Sequence, residues 1–203
     1  DKSIIEKALQ VFAPEKAPDI DVETRESAGF NYVIDMLTSW RSRAKHHQEL
    51  PRAAGLIDLD PEAIEAANSW NSVAKNVFSA KCFKLPKPAH IIPALQAGFK
   101  VPVVLEVLYD LDAWIWADNQ GHLKERALPE IIPKDLNAQI IAGNTTLDEH
   151  LDGDWAIFVK KEFTQHGKGP MSRHFSGKQD DEFRERLQCL EQLVDDITRY
   201  LFD

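Results

Sequence analysis

The sequence predicts an α+β fold in which helical N- and C-terminal segments pack around a small, mainly antiparallel sheet. Apolar residues recur every three or four positions near both ends of the chain, a run rich in β-branched residues occupies its middle, and proline-containing segments separate these regions. With 203 residues, the chain is long enough to bury a core without disulfide bonds or a structural metal. We therefore expect one domain over residues 1–203.

The first part of the chain is predicted to be an arm followed by helices. Residues 1–20 form the arm and linker, because a short amphipathic pattern precedes a stretch with two prolines. Residues 22–80 are expected to be helical, starting with a long helix that carries one apolar stripe. Asp60 and Pro61 supply an N-cap and a first-turn residue, which predict a further helix.

The middle of the chain, residues 99–160, is predicted to be rich in strand. Within residues 101–116, the odd positions are almost wholly apolar and the even positions carry the acidic residues. This alternation is typical of a strand that buries one face of a sheet. A second strand is predicted over residues 155–160, where apolar and β-branched side chains again cluster.

The end of the chain is predicted to be a polar loop over residues 161–179 and a helix over residues 180–203. The helix carries a heptad-like apolar seam, which either covers the core of the domain or pairs with a partner helix. Two tryptophans share the parity of the acidic positions, which indicates a less buried face. The candidate partner-binding residues are Trp114, Trp116, Leu187, Leu190, Val194 and Ile197.

An acidic cluster is the candidate catalytic group. Glu106, Asp110 and Asp112 would share one face of a regular strand and could hold Mg²⁺, while Lys160 from the second strand could orient the attacking water. The spacing does not match the nuclease signature in which an Asp is followed by Asp/Glu-x-Lys on the next strand. A solvated, charged face of a sheet explains the same residues.

Nucleic-acid binding would need a local basic patch, because the chain has a formal charge of −9. The loop before the last helix is the candidate patch, and its glycines would let the backbone wrap around an anion. A plain flexible surface loop explains the same composition. The candidate nucleic-acid-binding residues are His166, Lys168, Arg173, His174 and Lys178.

Several classes of site and location are not favoured. The seven histidines and two cysteines lack the spacing of metal ligands, so we predict neither a metal nor a cofactor. No apolar run approaches the roughly 20 residues that cross a bilayer, and the low cysteine content favours the cytoplasm. Because the chain begins with Asp1 rather than Met, we expect a trimmed chain or part of a longer polypeptide.

Three stretches of the sequence carry a family resemblance: VIDMLTSWRSRA, then PVVLEVLYDLDAWIWADNQGHLKERALPEIIPKDL, then NTTLDEHL. Their order resembles the N-terminal, pre-motor region of large bacterial superfamily 1 helicases, which include defence-associated members. The resemblance implies an accessory module of a nucleic-acid-dependent ATPase. The sequence contains no phosphate-binding loop and no acidic ATPase box, so no catalytic residue is carried over.

The leading hypothesis is a non-catalytic accessory or scaffold domain of a larger, helicase-like and antiviral nucleic-acid-processing assembly. Such a domain would bind protein first and nucleic acid second. One alternative is a metal-dependent nuclease or hydrolase that uses the acidic cluster. Another is a small acidic interaction or inhibitor protein that covers a basic partner surface.

Overall fold

The computed structural model describes residues 2–25, 29–47, 50–73, 79–127 and 131–203. These residues form an α+β fold of many helices with two small, two-stranded sheets. The described helices are α1 (Lys2–Phe12), α2 (Phe30–Ala44), α3 (Pro61–Val73), α4 (Ile92–Gln96), α5 (Leu111–Asn119), α6 (Lys134–Ile141), α7 (Ala156–Lys160), α8 (Lys168–Ser176), α9 (Asp180–Arg186) and α10 (Glu191–Phe202). The described strands are β1 (Ala53–Ile57), β2 (Ala80–Lys84), β3 (Leu123–Glu125) and β4 (Lys161–Phe163).

The first sheet is a parallel pair inside the region that was predicted to be helical. β1 and β2 align so that Gly55 lies opposite Cys82, and α3 belongs to the connection between them. The predicted continuation of α3 over residues 74–78 lies outside the described residues, as do residues 26–28 of the helix predicted before it. β1 is short and apolar, and such a run cannot be assigned to helix or strand from periodicity alone.

This parallel sheet is buried on both faces, as is usual for parallel pairs. On one face, Ile57 and Gly55 pack against α2 and α3 in a small apolar core. On the other face, Leu56 and Phe83 belong to the main core, which also contains α1 and much of the second half of the chain. The ring of Tyr200 in α10 lies 5.7 Å from that of Phe83, so the last helix also packs on this sheet.

The second sheet is antiparallel, with Leu123 of β3 opposite Phe163 of β4 and Glu125 opposite Lys161. The two sheets are thus one parallel and one antiparallel, where the sequence predicts one mainly antiparallel sheet. Each is small, and helices supply most of the core around them.

The strand predicted over residues 101–116 is wrong. The chain is extended over residues 101–104, makes a 3₁₀ turn at Leu105–Leu108 and then enters α5. The odd positions from Val101 to Tyr109 are buried as predicted, whereas Ile115 is 45% exposed. Glu106 and Leu108 at even positions are buried as well, because the turn lies within the main core. The side chain of Asp110 accepts a hydrogen bond from the backbone N–H of Ala113 at 2.9 Å and starts α5 as its N-cap.

The strand predicted over residues 155–160 is also wrong, since that segment forms α7 and only the following residues form β4. The adjacent residues Phe158 and Val159 are both fully buried, whereas a strand with one buried face would place them on opposite sides. Short apolar runs of this kind fit either a helix or a strand.

The predicted loop over residues 161–179 contains β4 and α8, and a close backbone approach precedes α8. A Cβ atom added to Gly167 would lie 2.4 Å from the carbonyl oxygen of His122 and 2.8 Å from its Cβ. Gly167 is therefore required by the packing of the chain before β3 against the start of α8, and not only by flexibility.

We expect Gly167→Ala to lower the free energy of unfolding by about 1–3 kcal/mol, because backbone atoms have to shift to accommodate the methyl group. Gly169→Ala is the matched control, since its Cβ would meet only the end of the Arg173 side chain at 3.4 Å. The free energy of unfolding of Gly169→Ala should lie within about 0.5 kcal/mol of the wild-type value or above it. Urea unfolding of both proteins tests this, and equal stabilities would contradict the close approach.

The last predicted helix, residues 180–203, is divided into α9, a 3₁₀ turn at Gln188–Leu190, and α10. Its apolar seam faces inward: Leu187 and Leu190 are fully buried, Val194 is buried, and half-buried Ile197 packs against the main core. The seam thus covers the core of the chain, which was one of the two interpretations. The assignment of Leu187, Leu190 and Val194 to a partner surface is corrected accordingly.

Leu187→Ala should lower the free energy of unfolding by about 2–5 kcal/mol through loss of buried contacts and a residual cavity. The exposed neighbour Gln188 provides a control, and Gln188→Ala should change stability by less than about 0.5 kcal/mol. Thermal unfolding and light scattering distinguish the two roles of the seam. A Leu187→Ala protein with unchanged stability but a smaller mass in solution would restore the partner interface.

In the described part of the chain, no helix combines the length and the apolar character that a membrane crossing requires.

Candidate functional site

The carboxyl end of β1 meets the turn that carries Glu106. Asp58 follows the last residue of β1, and the backbone N–H of the next residue, Leu59, donates to the carbonyl of Val103 at 2.9 Å. This hydrogen bond holds the extended segment 101–104, which precedes the 3₁₀ turn, against the carboxyl end of β1. Ligands of parallel α/β sheets commonly bind at the carboxyl ends of strands.

Glu106 is a buried carboxylate that forms an ion pair with a lysine. Its residue is 5% exposed, and Lys168 Nζ lies 2.9 Å from its Oε1. The indole N–H of Trp114 donates to the Glu106 carbonyl at 3.0 Å and fixes the backbone of the turn. A charge taken out of water needs such a partner, so the ion pair compensates for the burial of Glu106.

Asp58 shares the electrostatic environment of Glu106. Burial is the main cause that raises the pKa of Asp58 from its ordinary value of 3.8 to about 6, and the charges of Glu106 and Asp60 raise it further. The ammonium of Lys168 acts in the opposite direction. The pKa of Asp58 therefore lies closer to neutral pH than that of an ordinary aspartate, and general acid–base catalysis favours a pKa near the working pH.

Asp60 borders this group and has a structural task. Its Oδ1 accepts a hydrogen bond from the backbone N–H of Ala63 at 2.7 Å, so the predicted N-cap of α3 is confirmed. Asp58 and Asp60 thus lie on the short segment between β1 and α3, while Glu106 and Lys168 come from later parts of the chain. We call Asp58, Asp60, Glu106 and Lys168 the charged cluster.

A cavity of about 220 Å³ opens beside Glu106 and Lys168. Its lining consists of five apolar residues, which we call the apolar wall, and four charged residues. The apolar wall includes Pro102, Val104, Val107, Trp114 and Phe163, and the remaining charged lining residues are Arg126 and Glu162. Such a combination of an apolar wall and a few polar groups is typical of small-ligand sites.

Arg126 brings a second cation to the cavity. Its Nε and Nη2 donate to the carbonyl of Lys161 at 3.2 and 2.9 Å, and Nη1 lies 3.6 Å from Glu162. Burial lowers the pKa of Arg126, and the charge of Glu162 partly opposes that shift. The guanidinium is therefore held in a fixed orientation directly after β3, where Arg126 lines the cavity.

The acidic cluster predicted from the sequence is not assembled. Asp110 caps α5 and pairs with Arg186 at 2.8 Å, while exposed Asp112 lies 3.9 Å from the same guanidinium. Lys160 pairs with Asp148. Since the predicted strand is a turn and a helix, Glu106 alone of these residues belongs to the charged cluster.

The predicted nucleic-acid-binding residues lie before, in and after α8 and have separate environments. Lys168 belongs to the charged cluster, His166 and Arg173 are exposed, and Lys178 pairs with Glu182 at 2.8 Å. The ring of His174 stacks on Trp116 at 4.2 Å, and burial together with the charge of Lys178 lowers its pKa.

The two tryptophans of the predicted partner surface also have different environments. Trp114 is 1% exposed and packs against Phe158 and Phe163, with ring centroids 4.8 and 5.0 Å away. A partner cannot reach it, and its assignment to a partner surface is corrected. Trp116 is half-buried and also contacts the ring of His122 at 5.6 Å.

Asp58 is the site residue that the sequence reasoning missed. The sequence signal for Asp58 is the run of five residues that forms β1, followed by Asp58 and Asp60 with a single residue between them. A strand prediction there would have placed carboxylates at the carboxyl end of a buried strand. Because residues 22–80 were predicted to be helical, no strand was predicted there and Asp58 was not considered as a site residue.

The described residues contain no group of three or more His, Cys, Asp and Glu side chains placed to hold a metal ion. Comparisons of the chain with protein-family models, curated proteins and solved structures give no match. The geometry and electrostatics of the charged cluster are therefore the basis on which a function can be inferred.

The raised pKa of Asp58 predicts a stability difference that depends on pH. Because the folded state binds the proton more tightly than the unfolded state, this contribution is complete below pH 3.8 and is lost as the pH rises through about 6. Between those limits, wild type should lose about 1 kcal/mol relative to Asp58→Asn, after allowance for solvent screening. Urea unfolding at several pH values measures the difference.

Asp35→Asn, at an exposed position of α2, provides the control and should follow the wild type at every pH. A constant difference between wild type and Asp58→Asn across this range would contradict a raised pKa at Asp58.

Proposed function

We propose that this chain hydrolyses phosphodiester bonds of nucleic acids with a divalent cation bound by Asp58 and Glu106. The observation that supports this most is the charged cluster itself: buried Glu106 raises the pKa of Asp58, the residue that follows the parallel strand β1. The cavity lined by Glu106 and Lys168 provides space for part of a substrate.

The electrostatics of the cluster favour a cation. The charge of Glu106 contributes to the raised pKa of Asp58, and a positive ion near both carboxylates would remove that repulsion. Mg²⁺ is usually bound through one or two carboxylates together with water and substrate phosphates. A pair of carboxylates therefore suits Mg²⁺, although the described residues include no group of three protein ligands.

The roles of the residues follow from their chemistry. When bound, a divalent cation would supply an acidic water and stabilise negative charge at the phosphate. Asp58 and Glu106 would hold the cation, while Lys168 and Arg126 place positive charge beside the cavity. The apolar wall can accept the sugar or base of a nucleotide, which gives the site a preference for nucleic acid over free phosphate.

A hydrolase accounts for the charged cluster better than a purely non-catalytic accessory domain does. Leu187, Leu190, Val194 and Trp114, which were to bind a partner, are buried in the core of the chain. Membership of a larger helicase-like assembly remains part of the proposal, because unwinding and cleavage act on the same kind of substrate. Catalysis would then reside in this region.

Asp58→Asn should reduce Mg²⁺- or Mn²⁺-dependent cleavage by at least about 100-fold, because it removes a charged ligand of the cation. Glu106→Gln should have a similar effect. Gel assays with end-labelled single- and double-stranded DNA and RNA, with and without EDTA, measure the loss. Circular dichroism of each variant verifies that it is folded.

Asp112→Asn is the matched control, since this carboxylate is exposed and lies outside the charged cluster. It should retain wild-type cleavage. A wild-type protein that cleaves none of the four substrates in Mg²⁺ or Mn²⁺ would overturn the proposal, and so would equal losses in Asp58→Asn and Asp112→Asn.

A further inference from the structure

Arg126 and Glu162 line the cavity as a pair of opposite charges that is not itself hydrogen-bonded. The Arg126 side chain is 10% exposed, and its Nη1 lies 3.6 Å from Glu162 Oε2, which is too far for a hydrogen bond. In the part of the chain that the structure describes, neither of these two atoms has another hydrogen-bond partner. A donor and an acceptor therefore lie side by side at the cavity and are available to a ligand.

The antiparallel sheet fixes the position of this pair. Glu162 is the middle residue of β4, and Arg126 directly follows β3, where its backbone N–H donates to the carbonyl of Lys160 at 2.8 Å. Lys124 Nζ lies 2.9 Å from Glu162 Oε1 and restrains the carboxylate. Because both side chains are held in place before a ligand arrives, little side-chain entropy is lost on binding.

The rest of the cavity suits one flat ring system. Its volume of about 220 Å³ lies below the range of about 300–1,000 Å³ that is usual for sites of drug-sized ligands, so a single base matches it better than a whole nucleotide. The apolar wall includes Trp114 and Phe163, whose ring centroids are 5.0 Å apart. Aromatic side chains favour contact with the faces of nucleic-acid bases.

We propose that the cavity is a pocket for a guanine base, whose polar edge binds Arg126 and Glu162. Arg126 Nη1 donates to the guanine O6, and the Glu162 carboxylate accepts from the N1–H and the 2-amino group. Binding of arginine or lysine to the acceptors of guanine is the commonest specific contact between proteins and DNA bases. The inference rests on the proposed function in one respect, since the base is taken to belong to the nucleic-acid substrate. Asp58 and Glu106 stay available for the cation.

The same pair disfavours the other bases. A carboxylate only accepts hydrogen bonds, and a guanidinium only donates them. Adenine has a ring acceptor where guanine has N1–H, and cytosine has acceptors at both positions where guanine offers donors to Glu162. Uracil and thymine have a ring N–H but lack the neighbouring amino group. A base other than guanine therefore leaves Glu162 opposite an acceptor or without its second donor, which costs binding free energy.

Binding of nucleoside monophosphates to the wild type in EDTA tests the base preference without catalysis. Isothermal titration calorimetry compares GMP, IMP, AMP, CMP and UMP, which share the ribose and the phosphate. GMP should bind at least about fivefold more tightly than each of the others. IMP lacks only the 2-amino group of GMP, so its weaker binding reports the contact with Glu162. Equal affinities, or no binding of any of these ligands, would overturn the proposal.

Glu162→Gln changes the hydrogen-bonding pattern of the pair, since an amide nitrogen donates where the carboxylate accepts. The preference for GMP over AMP should fall to within about twofold, because glutamine pairs well with adenine. Loss of a purely structural contact would weaken both ligands alike and leave their ratio unchanged. Glu125→Gln is the matched control and should keep the wild-type ratio, because this side chain of the same sheet is 73% exposed and lies outside the cavity.

The outcomes separate this inference from the proposed function. Selective binding of GMP by a protein that cleaves no nucleic acid would refute the hydrolase and support the guanine pocket. Cleavage of nucleic acid by a protein that binds all the monophosphates equally would support the hydrolase and refute the pocket. If Glu162→Gln keeps the wild-type ratio of GMP to AMP affinity, the role of Glu162 is wrong.

Discussion

Burial of a carboxylate in an apolar interior is the constraint on which the middle of this structure depends. Glu106 lies within a turn whose neighbours Leu105, Val107 and Leu108 are all buried. The chain reaches this position because the extended segment before the turn is bound to the exit of β1. The partner of the carboxylate comes from α8, so the site unites a strand end, a turn and a helix that are distant in sequence. The packing of α8 against His122 at Gly167 then determines where that partner begins.

The sequence predicted the elements whose signals are local. The α+β class, the N-cap at Asp60, the stripe of α2 and the apolar seam of the last segment follow from periodicity and capping, which neighbouring residues decide. The inward direction of that seam was one of two open interpretations. Only the three-dimensional packing distinguishes a seam that covers its own core from one that binds a partner.

The sequence-based prediction was wrong for segments whose side chains are buried on all sides and not on one side only. The alternation over residues 101–116 predicted a strand, but Glu106 is buried and Asp110 is a helix cap, so the acidic positions did not mark a solvent face. The short run of β1 was hidden for a related reason, since a strand buried on both faces has no alternation. Of the candidate site, Glu106 and Lys168 were named from sequence, but for separate roles. The contact between Glu106 and Lys168 and the position of Asp58 near them depend on long-range packing. No local sequence pattern encodes that packing.

The distribution of the charged cluster along the chain has a consequence for biosynthesis. Asp58 and Asp60 emerge early, Glu106 about the middle and Lys168 late, and no part of the chain before α8 contains all four. While the chain grows on the ribosome, the carboxylates are made long before their lysine. A nascent or truncated chain is then left with an uncompensated charge at Glu106, which disfavours the compact state. The region around Glu106 therefore gains its charge balance only after α8 has been synthesised.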